Sequence, residues 1–200
     1  MRTQTRLILA STSPYRQELL SRLRLPFDVI APDVDESAHA AEPPAALAAR
    51  LAHAKAQAVA ARHPNAVVIG SDQVAELDGV ALGKPGHHEA AVQQLRAMSG
   101  RQVIFHTAVA VVRADHHFEA SDLARVGVTF RALSDAEIEH YLHADRPYDC
   151  AGSAKVESLG IALLQSVESD DPTALIGLPL IRTCALLRQA GIEPLLKTAS

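Results

Sequence analysis

The sequence predicts an α/β (mixed α+β) fold: an elongated mixed central sheet flanked by helices, in two lobes with a cleft between them, the natural place for a ligand. Apolar runs of strand length interleave with helical patterns, which places strands and helices in one layered unit. Hairpin signals occur as well, so the sheet is mixed rather than wholly parallel. Two hundred residues with no repeat, low-complexity tail or linker make a single domain, 1–200, large enough to bury a substantial core.

The first strand is Leu7-Ile8-Leu9-Ala10, and it breaks into Ser11-Thr12-Ser13-Pro14-Tyr15-Arg16. Pro14 to Arg24 reads as a helix with Ser13 as its N-cap and Leu19, Leu20 and Leu23 as its buried stripe. Pro26 ends it, and Phe27 to Ala31 is a second strand. After the acidic loop from Pro32 to Ser37, a long Ala-rich helix runs from Pro43 to Arg62, opening on the two prolines that a first turn tolerates. Ala66 to Gly70 is uninterrupted apolar chain, the pattern of a strand buried on both faces. Ser71-Asp72-Gln73 follows at the expected end of that strand, then Val74 to Leu77 and the Asp78-Gly79 hairpin turn. Gly83-Lys84-Pro85-Gly86 breaks the chain before a helix from His88 to Met98. Two long strand-like runs come next, Arg101 to Val112 and Ala124 to Phe130, joined through a polar tip from Asp115 to Ser121. Ser134-Asp135-Ala136-Glu137 is a capping box that opens a helix to His143. A strand from Ile161 to Val167 follows irregular chain, and a helix from Leu178 to Gln189 closes the pattern.

Composition excludes several classes. The net charge of −4 gives no general attraction to nucleic acid or anionic membranes. No stretch approaches the length of a membrane span, and no signal-peptide pattern occurs. Two cysteines, Cys150 and Cys184, are too few for a disulfide framework and point to a reducing, cytoplasmic setting. The ten histidines are scattered, without HExxH or Cys/His metal spacing, and His87-His88 and His116-His117 fall near turns, as surface residues do. No G-x-S-x-G elbow is present, which argues against a common serine hydrolase.

A strand, a hydroxyl-rich turn and a helix start carrying Arg16 bring backbone N–H groups, a helix dipole and a guanidinium to one point, as a phosphate requires. The same turn can also be simple capping. Asp72 after a buried run must be paired, bind a cation or face a cleft, because an unpaired buried carboxylate is costly. It stands as a general base, a magnesium-type ligand or a turn cap. Lys55 interrupts a helix of small residues, either as one deliberate cation or as part of a solvated face. Lys84, between a glycine and a proline, is presented by a stiffened loop, and Glu36 ends a cluster of carboxylates.

Taken together, these motifs resemble the Maf proteins, nucleoside triphosphate pyrophosphatases. The resemblance runs through Leu9 to Arg16, Val34-Asp35-Glu36, Ala54-Lys55-Ala56, Ile69 to Gln73, Leu82 to Pro85, Ala151-Gly152 and Gly177-Leu178-Pro179. It implies a mixed α/β fold, dependence on a divalent cation (Mg, Mn or Co), and cleavage of a nucleoside triphosphate to monophosphate and pyrophosphate. It further implies Asp72 as general base, Ser11, Arg16, Lys55 and Lys84 at the phosphates, Glu36 with Asp72 at the metal, and a homodimer. The dTTP and UTP branch has an arginine and a threonine where this chain has Tyr15 and Gln73. That departure is similar to the 7-methyl-GTP pyrophosphatase branch, whose specificity positions map to Tyr15, Gln73 and Glu157. The carboxylate of Glu157 can accept from guanine N1–H and N2–H₂ together, and N7 methylation makes the base a cation that the Tyr15 ring attracts. Gln73 offers a donor and an acceptor to the rest of the base edge. The same reaction on dTTP, UTP or another modified nucleotide, and a non-catalytic nucleotide-binding regulator of cell division, are the alternatives.

Overall fold

The computed structural model describes residues 5–196. Its centre is one mixed sheet of seven strands, formed by β1 (Leu7–Ala10), β2 (Asp28–Val29), β3 (Val67–Leu77), β4 (Val80–Leu82), β5 (Gln102–Arg113), β6 (Phe118–Phe130) and β7 (Leu164–Glu168). The order across the sheet is β2-β1-β3-β5-β6-β7, with β4 paired to β3 as well. β1 runs parallel to β2 and β3, and every other pair is antiparallel. At roughly 3.3 Å per residue, the 12-residue β5 spans about 40 Å. The long strands β3, β5 and β6 therefore serve two lobes.

In the first lobe, α2 (Pro44–Ala60) covers one face of the sheet and α1 (Pro14–Ser21) and α5 (Leu180–Gln189) the other. Alternation along β3 divides its side chains accordingly: Val68 packs on Leu51, Ala52 and Ala56 of α2, while Val67 and Ile69 meet Leu19 and Leu20 of α1 and Leu186 and Leu187 of α5. The second lobe is closed by α3 (His88–Met98) and α4 (Asp135–Asp145) around Leu95, Met98, Phe105, Phe130, Ile138 and Tyr141. Each of these large fully buried side chains contributes about 1.5–3 kcal/mol relative to exposure.

Several boundaries differ from those the sequence predicts. The apolar run and the Val74 to Leu77 segment are one continuous strand, so Asp72 lies mid-strand opposite Ala108 and not at a strand end. β1 ends opposite Gly70 and β4 begins its pairing at Ala75, which leaves that edge of β3 without a strand neighbour between them. Polar residues there face a gap, which in sequence looks like a terminus. The β5–β6 tip is tighter than expected, a single 3₁₀ turn at Ala114–His116 with His117 left-handed, so Phe118 to Ser121 belong to the strand. Ile161 lies in a 3₁₀ segment, Leu159–Leu163, and only Leu164 onward pairs with β6. α1 stops at Ser21 because Arg24 takes a left-handed φ of 54° ahead of Pro26. Cys184 is only partly buried. No helix among the described residues is long and apolar enough to cross a membrane.

Candidate active site

The gap in the sheet opens into a cleft of about 540 Å³, and all nine candidates line it: Ser11, Tyr15, Arg16, Glu36, Lys55, Asp72, Gln73, Lys84 and Glu157. β1 delivers the turn that carries Ser11 and the first turn of α1, while β4 delivers the loop that carries Lys84 from the opposite side.

Lys55 and Asp72 meet because α2 lies unusually close to β3. A Cβ on Gly70 would stand 2.2 Å from the Ala52 carbonyl oxygen and 2.6 Å from the Ala56 nitrogen, so glycine is required for this approach. One turn along, Lys55 Nζ lies 2.6 Å from Asp72 Oδ1 and 2.8 Å from Glu36 Oε1. The lysine and Asp72 side chains are only 6% and 11% exposed, and each compensates the other's lost hydration. Asp72 Oδ2 has no protein partner among the described residues and remains for the cleft. Glu36, on its loop, is half-exposed. Burial pushes its carboxyl up, but the Lys55 hydrogen bond and the charges of Lys55, Lys84 and Arg16 outweigh that and hold it below the usual range.

Ser13 caps α1 as the sequence predicts, accepting from Arg16 N, and Ser11 Oγ accepts from Ser13 N, leaving the Ser11 hydroxyl proton to donate. Arg16 is held from behind, its Nε donating to the Gly177 carbonyl at 2.8 Å. Burial lowers its pKa, and the negative charges of Asp72 and Glu36 oppose the shift. The carbonyl of Gly177, at φ 130°, also lies 3.2 Å from Ser71 Oγ, whose single proton has a nearer acceptor in the Ala108 carbonyl at 2.7 Å, so the Arg16 bond is what ties α1 to the turn before α5. That role of the Gly177-Leu178-Pro179 motif has no side-chain signature in the sequence. Asp171 completes the support: fully buried, it caps α5 by accepting from Ile181 N and Arg182 N.

The remaining candidates sit elsewhere on the wall. The Tyr15 ring carries Lys155 Nζ 5.6 Å from its centroid, and its hydroxyl lies 3.9 Å from Cys150 Sγ. Burial raises the Tyr15 pKa, with the negative charges of Asp149 and Glu157 adding to the shift, and burial raises that of Glu157. Glu157 occupies a turn, not a strand. Gln73 corrects one expectation. Its amide nitrogen lies 3.0 Å from each of Thr107 Oγ1 and the carbonyls of Ala174 and Leu175, three acceptors that share its two N–H groups, so only its carbonyl oxygen is left for a ligand. Lys155, Asp149 and the close-approach role of Gly70 were not among the expectations from sequence. Only Gly70 left a signal, as a glycine inside an otherwise apolar strand.

A family model described as Maf-like protein matches residues 6–190. The 7-methyl-GTP pyrophosphatase of Albidiferax ferrireducens is 67% identical over 192 residues, 96% of either chain. That of Polaromonas sp. is 65% identical over 190 residues, 95% of this chain and 87% of the relative. Among solved structures, the Staphylococcus aureus Ham1 protein covers 64% of this chain and 73% of its own at 18% identity and a TM-score of 0.47, too distant to bear on the site. Matched along nearly its whole length by the family model and by close relatives, the chain belongs to the Maf-like protein family.

Proposed function

We propose that the cleft hydrolyses 7-methyl-GTP to 7-methyl-GMP and pyrophosphate, in the cytoplasm, where it clears a modified nucleotide. The observation that carries this reading is the convergence of three cations and two carboxylates on one cleft, in a chain whose relatives of 65–67% identity are named 7-methyl-GTP pyrophosphatases.

Asp72 is the group suited to activate water. Lys55 fixes Oδ1, and Oδ2 of this cleft-lining side chain is the oxygen left to accept a proton as the water oxygen bonds to the α-phosphorus. The bond from that phosphorus to the bridging oxygen breaks, and its electron pair leaves on pyrophosphate. Arg16, Lys55, Lys84 and the Ser11 hydroxyl stabilise the growing charge, the main demand in phosphoryl chemistry. Asp72 and Glu36 offer hard oxygen donors around the same ammonium, and these fit a magnesium-type cation. Bound there, such a cation would neutralise phosphate charge and help align the reacting groups.

At the base end, Tyr15 already holds one cation over its ring, the behaviour a methylated, positively charged purine exploits. Glu157 pairs with the two adjacent N–H groups of guanine. Gln73 shapes the wall by bracing the Ala174–Ile176 turn. The test is pyrophosphate release by the purified chain with Mg²⁺, Mn²⁺ or Co²⁺, across 7-methyl-GTP, GTP, dTTP, UTP and CTP. The highest kcat/KM is expected for 7-methyl-GTP. A preference for dTTP or UTP overturns the base assignment, and nucleotide binding without pyrophosphate release overturns the enzyme.

A further inference from the structure

Outside the cleft, three metal-ligating side chains converge where α3 meets α4. His88 is the first residue of α3, while Glu139 and His143 stand four apart on α4 and so share a face. His88 Nε2 is 2.9 Å from Glu139 Oε2, and His143 Nε2 is 3.7 Å from the same oxygen. All three ligand atoms lie within 4.8 Å of one another, the one such group of His, Cys, Asp or Glu among the described residues. The two imidazoles stack with centroids 5.1 Å apart and planes 25° apart. His88 Nδ1 is 3.0 Å from the Tyr148 hydroxyl, which can donate to that nitrogen or accept from it and so supports either tautomer.

We propose that His88, Glu139 and His143 bind a divalent cation of the zinc class, separate from the cleft, and thereby clamp α3 to α4. Zinc bonds of about 2.0–2.2 Å to nitrogen and oxygen place tetrahedral ligands roughly 3.3–3.5 Å apart. The observed 2.9 and 3.7 Å straddle that spacing, and the third pair lies within 4.8 Å, so rotation of the exposed His143 side chain towards the half-buried His88 and Glu139 brings the set to that geometry. Two imidazoles and a carboxylate suit Zn²⁺ or Co²⁺ better than Mg²⁺, which selects oxygen. An ordinary surface ion pair joins two groups, whereas here two imidazole nitrogens address one carboxylate oxygen. The Tyr148 hydroxyl supplies the outer partner that a ligating histidine needs.

The site stands at the root of two cleft segments. Lys84 lies four residues before His88, and the Gly86 N–H donates to the Tyr148 carbonyl at 3.0 Å. Asp149 and Cys150 continue from Tyr148 into the cleft wall. A cation here fixes both segments where they leave the second lobe.

The test uses the full chain, stripped with a chelator. Zn²⁺ is titrated against a chromophoric competitor, and Co²⁺ is followed by the visible absorption of tetrahedral cobalt. His143→Ala, at a side chain 74% exposed and so without risk to folding, is expected to weaken the tightest zinc site by at least about tenfold and to remove the cobalt band. Tyr148→Phe is expected to weaken it by about tenfold, and Glu36→Gln to leave it within about twofold. A wild-type titration indistinguishable from that of His143→Ala, or loss of the tight site in Glu36→Gln, overturns the proposal.

Discussion

Gly70→Ala tests whether the approach of α2 to β3 builds the site. The added Cβ meets the Ala52 carbonyl oxygen at 2.2 Å, the Ala56 nitrogen at 2.6 Å and the Ala56 Cβ at 2.9 Å. None is the end of a flexible side chain, so the helix itself must retreat by about 1 Å or more to reach ordinary contact near 3.5 Å. Overpacking of this kind costs about 1–3 kcal/mol, and three rigid neighbours put this site at the upper end. For a chain of this size that is a fall in Tm of roughly 6–12 °C. Lys55 rides on α2 and leaves Asp72 by the same distance, and a misplacement of about 1 Å can cost about a hundredfold in rate. The assays are urea unfolding and pyrophosphate release under saturating and limiting nucleotide. Because the perturbation falls at the phosphates, kcat/KM should drop by a similar factor for every base tried. A Gly70→Ala chain with wild-type stability and kinetics would refute the claim that this contact sets the Lys55–Asp72 geometry, and a loss confined to one base would refute its placement at the phosphate end.

Asp72→Asn should abolish pyrophosphate release while nucleotide binding, measured by calorimetry, persists. Lys55→Met should cost about 3 kcal/mol, the low end for breaking a buried pair because Asp72 keeps contact with the cleft, and adding Asp72→Asn should recover part of that stability but no activity. Glu157→Gln should lower kcat/KM for 7-methyl-GTP by roughly tenfold to a hundredfold with little effect on dTTP, as expected from losing a bidentate contact worth about 1–3 kcal/mol. The Glu137 carboxyl, bonded to the Ser134 N–H and hydroxyl and to Arg131, is held down at about 2 against an ordinary 4.5. Its contribution to stability is therefore complete above about pH 4.5 and disappears as pH falls towards 2, so Glu137→Gln should flatten the acid limb of the urea midpoint across that window.

Much of the fold was legible because burial dictates pattern. The run from Ala66 to Gly70 and the alternation of Val126, Val128 and Phe130 are what buried strands must look like, and Lys55 stood out because a cation among alanines has no packing reason to be there. What stayed hidden has two physical sources. Backbone groups carry no residue signature, so neither the Gly177 carbonyl that holds Arg16 nor the carbonyls that claim the Gln73 amide could be read from side chains. Groups far apart in the chain also leave no spacing to notice: His88 and His143 look like two scattered surface histidines until α3 and α4 are laid side by side. The polar triplet Ser71-Asp72-Gln73 misled for a third reason. A strand that loses a neighbour on one edge turns polar just as a strand that ends does.

That missing neighbour also explains why the chemistry sits where it does. β1 and β4 approach from opposite directions along one edge of β3 and stop short of each other, so the residues that follow each strand face one another across Asp72 and Gln73. Adjacent residues on a strand point to opposite faces. Asp72 therefore meets the cation on α2, while Gln73 braces the turn on the other side, and one step along the backbone separates the proposed general base from the wall proposed to shape the base site. The charges follow the same logic. Lys55 is shared by two carboxylates, so of the three cations Arg16 and Lys84 are those whose charge no carboxylate among the described residues answers by direct contact. A nucleoside triphosphate brings more negative charge than two cations balance, and the proposed divalent cation on the Glu36 and Asp72 oxygens would supply the difference. If so, chelation of the purified enzyme should weaken triphosphate binding far more than monophosphate binding, and equal weakening of both would place the cation's role elsewhere.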